Sequence, residues 1–154
     1  MNFDLRSALP FLLPKAIAWA EGRAAEIASL GSPLDAAGIS IAQQVGVARP
    51  QLIRTLMVAQ LPMPSDPQLE QAATATGLLG PSMIGLTLGH GIYICHGHSS
   101  IRLLSHECRH VHQYEQLGSI AAYLPVYLQQ IVEFGYRDSP FEIDARDHEI
   151  HAQR

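Results

Sequence analysis

The chain has 154 residues, 47% of them hydrophobic, and a formal net charge of −4, which suits one domain spanning 1–154 with a buried core. No Lys/Arg block or stripe is present, so the electrostatic footprint of a nucleic-acid binder is excluded, and no window approaches the roughly 20 apolar residues of a membrane span. The N-terminus lacks the basic start and unbroken apolar run of a signal peptide, and Cys95 and Cys108 make no disulfide framework, so the expected setting is the cytoplasm.

Residues 1–80 read as a helical part. A first helix is expected over 11–30, with Pro10 and Pro14 at its start, where a missing N–H costs little. Its apolar residues Ile17, Ala20, Ala24, Ile27 and Ala28 keep helical spacing, and Gly31 ends it. In SPLDAAGISIAQQVG, Ser32 is expected to cap a second helix, with Pro33 in the first turn and Asp35 closing a capping box. Pro50 opens an expected third helix carrying Leu52, Ile53, Leu56 and Met57. PMPSDP is a rigid turn, and a fourth helix runs to about Thr76 before Gly77.

Residues 81–154 change character. In MIGLTLGHGIYIC, Ile84, Leu86, Leu88, Ile92 and Ile94 alternate with small or polar residues, a period-two signal for one bent strand or a short hairpin over 83–95. A helix is expected over 101–117, capped by Ser99 or Ser100 and stopped by Gly118. A further helix over 119–134 contains Pro125, which should kink or restart it. Ser139-Pro140 opens the last one. The expected class is therefore α+β, predominantly α-helical, with a short hairpin or edge strand beside the 101–117 helix.

Eight histidines stand against only ten Lys plus Arg, and five of them lie between positions 96 and 112. His106-Glu107-Cys108-Arg109-His110 fits HExxH. Residues four apart share a helix face, so His106 and His110 can bind one zinc ion. Glu107 then points to the open coordination position as general base toward a water made acidic by the metal. A chance HExxH arises in roughly 2% of shuffled chains of this composition. His112 points to the far side of the helix and is expected at the surface or behind the site. His96 and His98 are expected in a loop near the site mouth, and His90 either lines a groove or sits in a turn. Cys108 and Val111 belong to the core.

Catalytic zinc sites use three protein ligands. Glu115, Glu133, Asp138, Glu142, Asp144, Asp147, Glu149, His148 and His151 are all available downstream. Glu142 carries a competing role, because Ser139-Pro140-Phe141-Glu142 is a capping box in which Glu142 would reach back to the Ser139 N–H. The residues alone leave cap and ligand open.

HECRHVHQYEQLGSI followed by GYRDSPFEIDAR resembles the small bacterial HExxH proteins of gluzincin type, in which HExxH-x-x-Q is followed, one helix later, by a P-x-E-x-[DE]-A segment. The resemblance covers about 85–146. It implies a minimal zincin-like domain and a Zn2+-dependent metallopeptidase acting on a peptide or protein substrate. His106, His110 and Glu142 would be the metal ligands and Glu107 the general base. Arg146 stands where many relatives have Asp, which leaves Asp144, Asp147 or a backbone carbonyl to orient the imidazoles. The strand over 85–94 looks like the edge strand by which such proteins hold an extended peptide. Tyr136, Arg137, Tyr123 and His112 are the candidates to steady an oxyanion. Two other readings compete: a zinc-binding regulatory module without turnover, closed by a fourth ligand such as Asp144 or His148, and a helical interaction domain with ordinary histidines.

Overall fold

The computed structural model describes residues 4–151. Its elements, in order, are α1 (Leu5–Leu30), β1 (Ser32–Pro33), α2 (Ala36–Gln44), a 3₁₀ turn (Pro50–Leu52), β2 (Arg54–Val58), α3 (Pro67–Thr76), β3 (Gly85–Leu88), β4 (Gly91–Cys95), α4 (Ile101–Leu117), α5 (Ile120–Phe134) and α6 (Pro140–Asp147). The class is α+β and predominantly helical. No helix among the described residues is long and apolar enough to cross a membrane.

The four strands form one sheet in the order β1-β2-β4-β3. β2 and β4 run parallel, while β3 and β4 form an antiparallel hairpin. Every residue of β4 is buried, because both faces of this inner strand are covered. On one face Ile53, Ile92 and Ile94 pack against Leu103, Cys108 and Val111 of α4 and Ala42 of α2. On the other, Leu88 and Tyr93 pack against Ala20 and Ile27 of α1. The alternation of Ile92, Tyr93 and Ile94 between the two faces is the period-two rule of a strand. Fully burying a side chain such as Ile27 stabilises the fold by about 1.5–3 kcal/mol.

Three expectations for the N-terminal part are corrected. The first helix begins at Leu5, not near 11, with Asp4 capping the Ser7 N–H. Pro10 and Pro14 lie inside it. The apolar packing of Leu12 against Leu69 and Ala72 of α3 offsets the lost backbone bonds. Gly31 ends the helix, yet its φ of −78° is not left-handed. Glycine is needed there because a Cβ would stand 2.6 Å from the Ile27 carbonyl oxygen and 2.9 Å from that of Thr55. Ser32 and Pro33 do not begin the second helix; they pair with β2 as an edge strand, where proline is tolerated. Asp35 is itself the cap, accepting the Gly38 N–H at 2.8 Å.

The expected third helix is replaced by the 3₁₀ turn and β2. Leu52, Ile53, Leu56 and Met57 match helical spacing, but parallel pairing of Arg54 through Val58 with Gly91 through Cys95 decides the outcome. The later elements follow expectation closely. The strand signal over 83–95 is the β3–β4 hairpin, and Gly77 and Gly118 adopt the left-handed conformation that ends α3 and α4. α5 passes through Pro125 without restarting.

Candidate metal centre

Ser100 starts α4 by accepting the Leu103 N–H at 3.0 Å. The helix lies with Cys108 and Val111 fully buried against the sheet. That anchoring turns His106 and His110 toward α6, with ring centroids 5.1 Å apart. α6 is tied to α5 by the Phe141 N–H, which donates to Gln130 Oε1 at 2.9 Å.

Glu142 on α6 stands between the two imidazoles. Its Oε1 lies 3.2 Å from His106 Nε2 and its Oε2 lies 3.2 Å from His110 Nε2. The carboxylate does not reach back to Ser139, whose N–H bonds to the Tyr136 carbonyl instead. The capping geometry is therefore absent. His106, His110 and Glu142 each offer one donor atom, all within 4.8 Å of one another, the one such group of His, Cys, Asp and Glu among the described residues. In a tetrahedral zinc site with bonds of about 2.0–2.2 Å, neighbouring ligand atoms stand roughly 3.3–3.6 Å apart. The two 3.2 Å contacts, one to each Glu142 oxygen, are close to that spacing, while the three donor atoms together lie within a wider 4.8 Å; two imidazoles with one carboxylate suit zinc or a related divalent ion.

Glu142 is 2% exposed and His110 5%. Burial alone would lower the His110 pKa, but the hydrogen bond to Glu142 and its negative charge outweigh that and hold it at about 9. His106 is raised too, burial again being offset by Glu142. Burial pushes the Glu142 carboxyl up, yet the bonds from both histidines hold it well below the usual carboxylate range. Without a metal, protons on the two Nε2 atoms hold the cluster together; a divalent ion would take their place.

The outer ring nitrogens have partners of their own. His106 Nδ1 meets Glu149 Oε2 at 2.8 Å. Glu149 is set there because the next residue, Ile150, donates its N–H to the buried Ser105 Oγ of α4. His110 Nδ1 meets Gln113 Oε1 at 2.8 Å. The Gln113 amide nitrogen donates to the Phe141 carbonyl and to Asp144 Oδ2, both at 2.9 Å, so its oxygen must be the acceptor. His110 Nδ1 therefore carries a proton, so that loss of the Nε2 proton would leave the Nε2 lone pair facing a metal. Asp144 is fixed in turn by Arg109, whose Nε and second guanidinium nitrogen donate to it at 2.8 and 3.2 Å. The orienting groups are thus Glu149 and Gln113. Asp144 acts one step further back, and Asp147 is exposed.

Glu107 is also buried, 5% exposed. Its Oε1 accepts from the Thr87 hydroxyl at 2.8 Å, and a Cβ on Gly85 would lie 3.3 Å from its Oε2. Gly85 therefore leaves the space this carboxylate occupies. Glu107, His110 and Glu142 line one cavity of about 60 Å³, together with Tyr127 and Tyr136. The Tyr127 hydroxyl donates to Glu142 Oε2 at 2.6 Å. Burial, followed by the charges of Glu142 and Glu107, raises the Tyr136 pKa, so its hydroxyl is a neutral donor.

Other sequence candidates lie elsewhere. Glu115 accepts the Ala48 and Arg49 N–H groups and meets His90, which sits in the β3–β4 turn. His112 faces the Gly46 carbonyl, far from the cluster's side of α4. Tyr123 lies behind His110, against Nδ1 and Gln113. Arg137, Glu133, Asp138, His96, His98 and His151 are exposed, and His148 Nδ1 meets the Asp144 carbonyl. Tyr127, Thr87 and the orienting role of Gln113 were missed from sequence. Gln113 was findable, being three residues past His110 on the same helical face.

Comparison with protein-family models, with curated proteins and with solved structures gave no match.

Proposed function

We propose that this chain is a zinc-dependent metallopeptidase of gluzincin type, with His106, His110 and Glu142 as the metal ligands and Glu107 as general base. The observation that carries the reading is the Glu142 carboxylate lying between His106 Nε2 and His110 Nε2, with Glu107 on the same cavity. A bound zinc ion would supply Lewis acidity, lowering the pKa of a coordinated water toward about 7 and polarising the scissile carbonyl.

The chain's own groups do the rest. Glu107, held through Oε1 by Thr87, takes a proton from the attacking water and delivers it to the leaving amine. Tyr136 is the donor suited to steady the oxyanion, since it lines both the cavity of Glu107, His110 and Glu142 and the adjoining one that holds His106 and Glu149. β3 ends the sheet, and its outer edge borders the cavity, so an extended peptide can pair with it by main-chain bonds. The module reading has less support, because Asp144 is bound to Arg109 and Gln113 and His148 faces a carbonyl. Two free, buried cysteines fit a cytoplasmic setting.

The test is metal analysis with Glu107→Gln. The reading expects about one zinc per chain in both proteins, cleavage of a peptide library by wild type, and loss of cleavage in the variant with zinc retained. Unchanged cleavage by the variant would refute it.

A further inference from the structure

A tetrahedral zinc site takes one oxygen from its carboxylate ligand and leaves one position to water, and Glu142 offers two oxygens. Oε1 meets His106 Nε2, while Oε2 meets His110 Nε2 and also accepts from the Tyr127 hydroxyl at 2.6 Å. The two imidazole contacts depend on Nε2 protons that a divalent ion displaces; the phenol contact does not. A carboxylate has two lone-pair sites on each oxygen. With the ion bound, Oε2 therefore keeps Tyr127, and Oε1 is the oxygen released for the metal.

The phenol is set by the packing of three helices. Tyr123, Tyr127 and Gln130 lie four and three residues apart on α5, a spacing that shares one face, and each touches α6. Gln130 Oε1 accepts the Phe141 N–H at 2.9 Å. The Phe141 ring stacks on Tyr123 with centroids 5.4 Å apart and planes at 5°, and Tyr123 stacks on Tyr127 at 5.7 Å and 23°. Tyr127 then meets the His110 ring edge-on, at 6.1 Å and 89°. Both arrangements are favoured ones for aromatic rings. One aromatic column thus runs from α6 through α5 to α4, and it fixes Tyr127 against the same two helices that carry the ligands. Burial, followed by the charge of Glu142, raises the Tyr127 pKa well above the ordinary phenol value, so the hydroxyl is a neutral donor.

Without that bond, Oε2 would stand beside Oε1 with its lone pairs open to the same ion. A carboxylate bound through both oxygens takes up the position that catalytic sites leave to water. We infer that Tyr127 is a positioning residue for the metal centre: its hydroxyl reserves Glu142 Oε2, so that the carboxylate binds a metal through Oε1 only and the water position survives. The inference rests on the ligand set of the proposed function and not on peptide cleavage.

The experiment loads the full chain with Co2+ in place of Zn2+ and reads its d–d absorption, which is intense in four-coordinate sites and weak when the coordination number rises. Wild type, Tyr127→Phe and Tyr93→Phe are compared. Tyr93 is the matched control, since its hydroxyl donates to Glu26 Oε1 at 2.6 Å and its ring packs on the α1 face of the sheet. Wild type is expected to show the intense spectrum. Tyr127→Phe should lose most of that intensity and bind both ions about 10- to 100-fold more weakly, whereas Tyr93→Phe should keep the spectrum and the affinity. A weak spectrum in wild type, or an intense one in Tyr127→Phe, overturns the role whatever the affinity, and so does a loss of intensity shared by Tyr93→Phe. If Tyr127→Phe does not fold, X-ray absorption at the zinc edge of wild type decides: four light-atom neighbours support a single Glu142 oxygen, and five overturn it. The expected spectra without cleavage of any peptide leave Tyr127 standing and remove the peptidase reading. No metal bound by wild type removes the ligand set and the role of Tyr127 together.

Discussion

Replacing Gln113 with leucine should weaken metal binding without touching a ligand. Gln113 is 5% exposed. It accepts from His110 Nδ1 at 2.8 Å and donates to the Phe141 carbonyl and Asp144 at 2.9 Å. Leucine has similar bulk and none of these bonds, so the His110 ring loses the contact that fixes its proton on Nδ1. Removing such an outer partner typically lowers metal affinity 10- to 100-fold, or about 1.4–2.8 kcal/mol at 1.4 kcal/mol per tenfold step. The metal-free protein suffers too. The Phe141 carbonyl loses its Gln113 donor and Tyr123 loses an acceptor, while Asp144 keeps Arg109. At about 1–3 kcal/mol per buried unpaired group, the expected loss is roughly 2–4 kcal/mol, or a fall in Tm of about 5–15 °C for a chain of this size. Zinc competition titration against a chelating dye, with thermal melts in EDTA, reads both effects. A folded Gln113→Leu protein with zinc affinity within about twofold of wild type would refute the orienting role.

Gly85→Ala places a Cβ 3.3 Å from Glu107 Oε2 and 3.1 Å from Leu103 Cδ1. Displacing the base should lower kcat by about 10- to 100-fold with zinc content unchanged, and a kcat equal to wild type would count against the role given to Gly85. Glu115→Ala strips partners from the Ala48 and Arg49 N–H groups and from His90; chemical denaturation should show a loss of about 2–4 kcal/mol while zinc affinity stays level. A parallel fall in zinc affinity would contradict the separation of this clamp from the metal centre. In the metal-free protein His110 is held above its unfolded value, to about 9, so its pairing with Glu142 contributes fully below about pH 6.5 and is lost as pH rises through about 9. Glu142 is held low, so its contribution is present above about pH 4.5 and fades on further acidification. Melts in EDTA should therefore fall between about pH 6.5 and 9, while zinc affinity rises over the same interval as protons leave the ligands. A metal-free Tm that climbs across that interval would contradict the pairing.

Local chemistry determined much of this protein before any folding question arose. Ser100, Gly118 and Gly77 bound their helices because a side-chain acceptor or a left-handed glycine acts within a few residues. The alternation from Ile84 to Ile94 is readable because a strand's period of two is a property of its own backbone. His106 and His110 share a face for the same reason, one turn of helix. Other features depend on partners distant in sequence. Arg54 to Val58 is a strand only because β4 lies beside it, 37 residues on, and its helical spacing is overruled. Pro10 and Pro14 sit inside α1 because burial of Leu9 and Leu12 offsets what the prolines remove. Glu142 had two local futures, a cap for its own helix or a partner for two histidines, and only the packing of α6 on α4 chose between them. Gly85 and Thr87 reach Glu107, Tyr127 reaches Glu142 and Glu149 reaches His106 by long-range contact alone. Short-range hydrogen bonding and periodicity wrote the halves of this centre, and the burial of apolar faces brought them together.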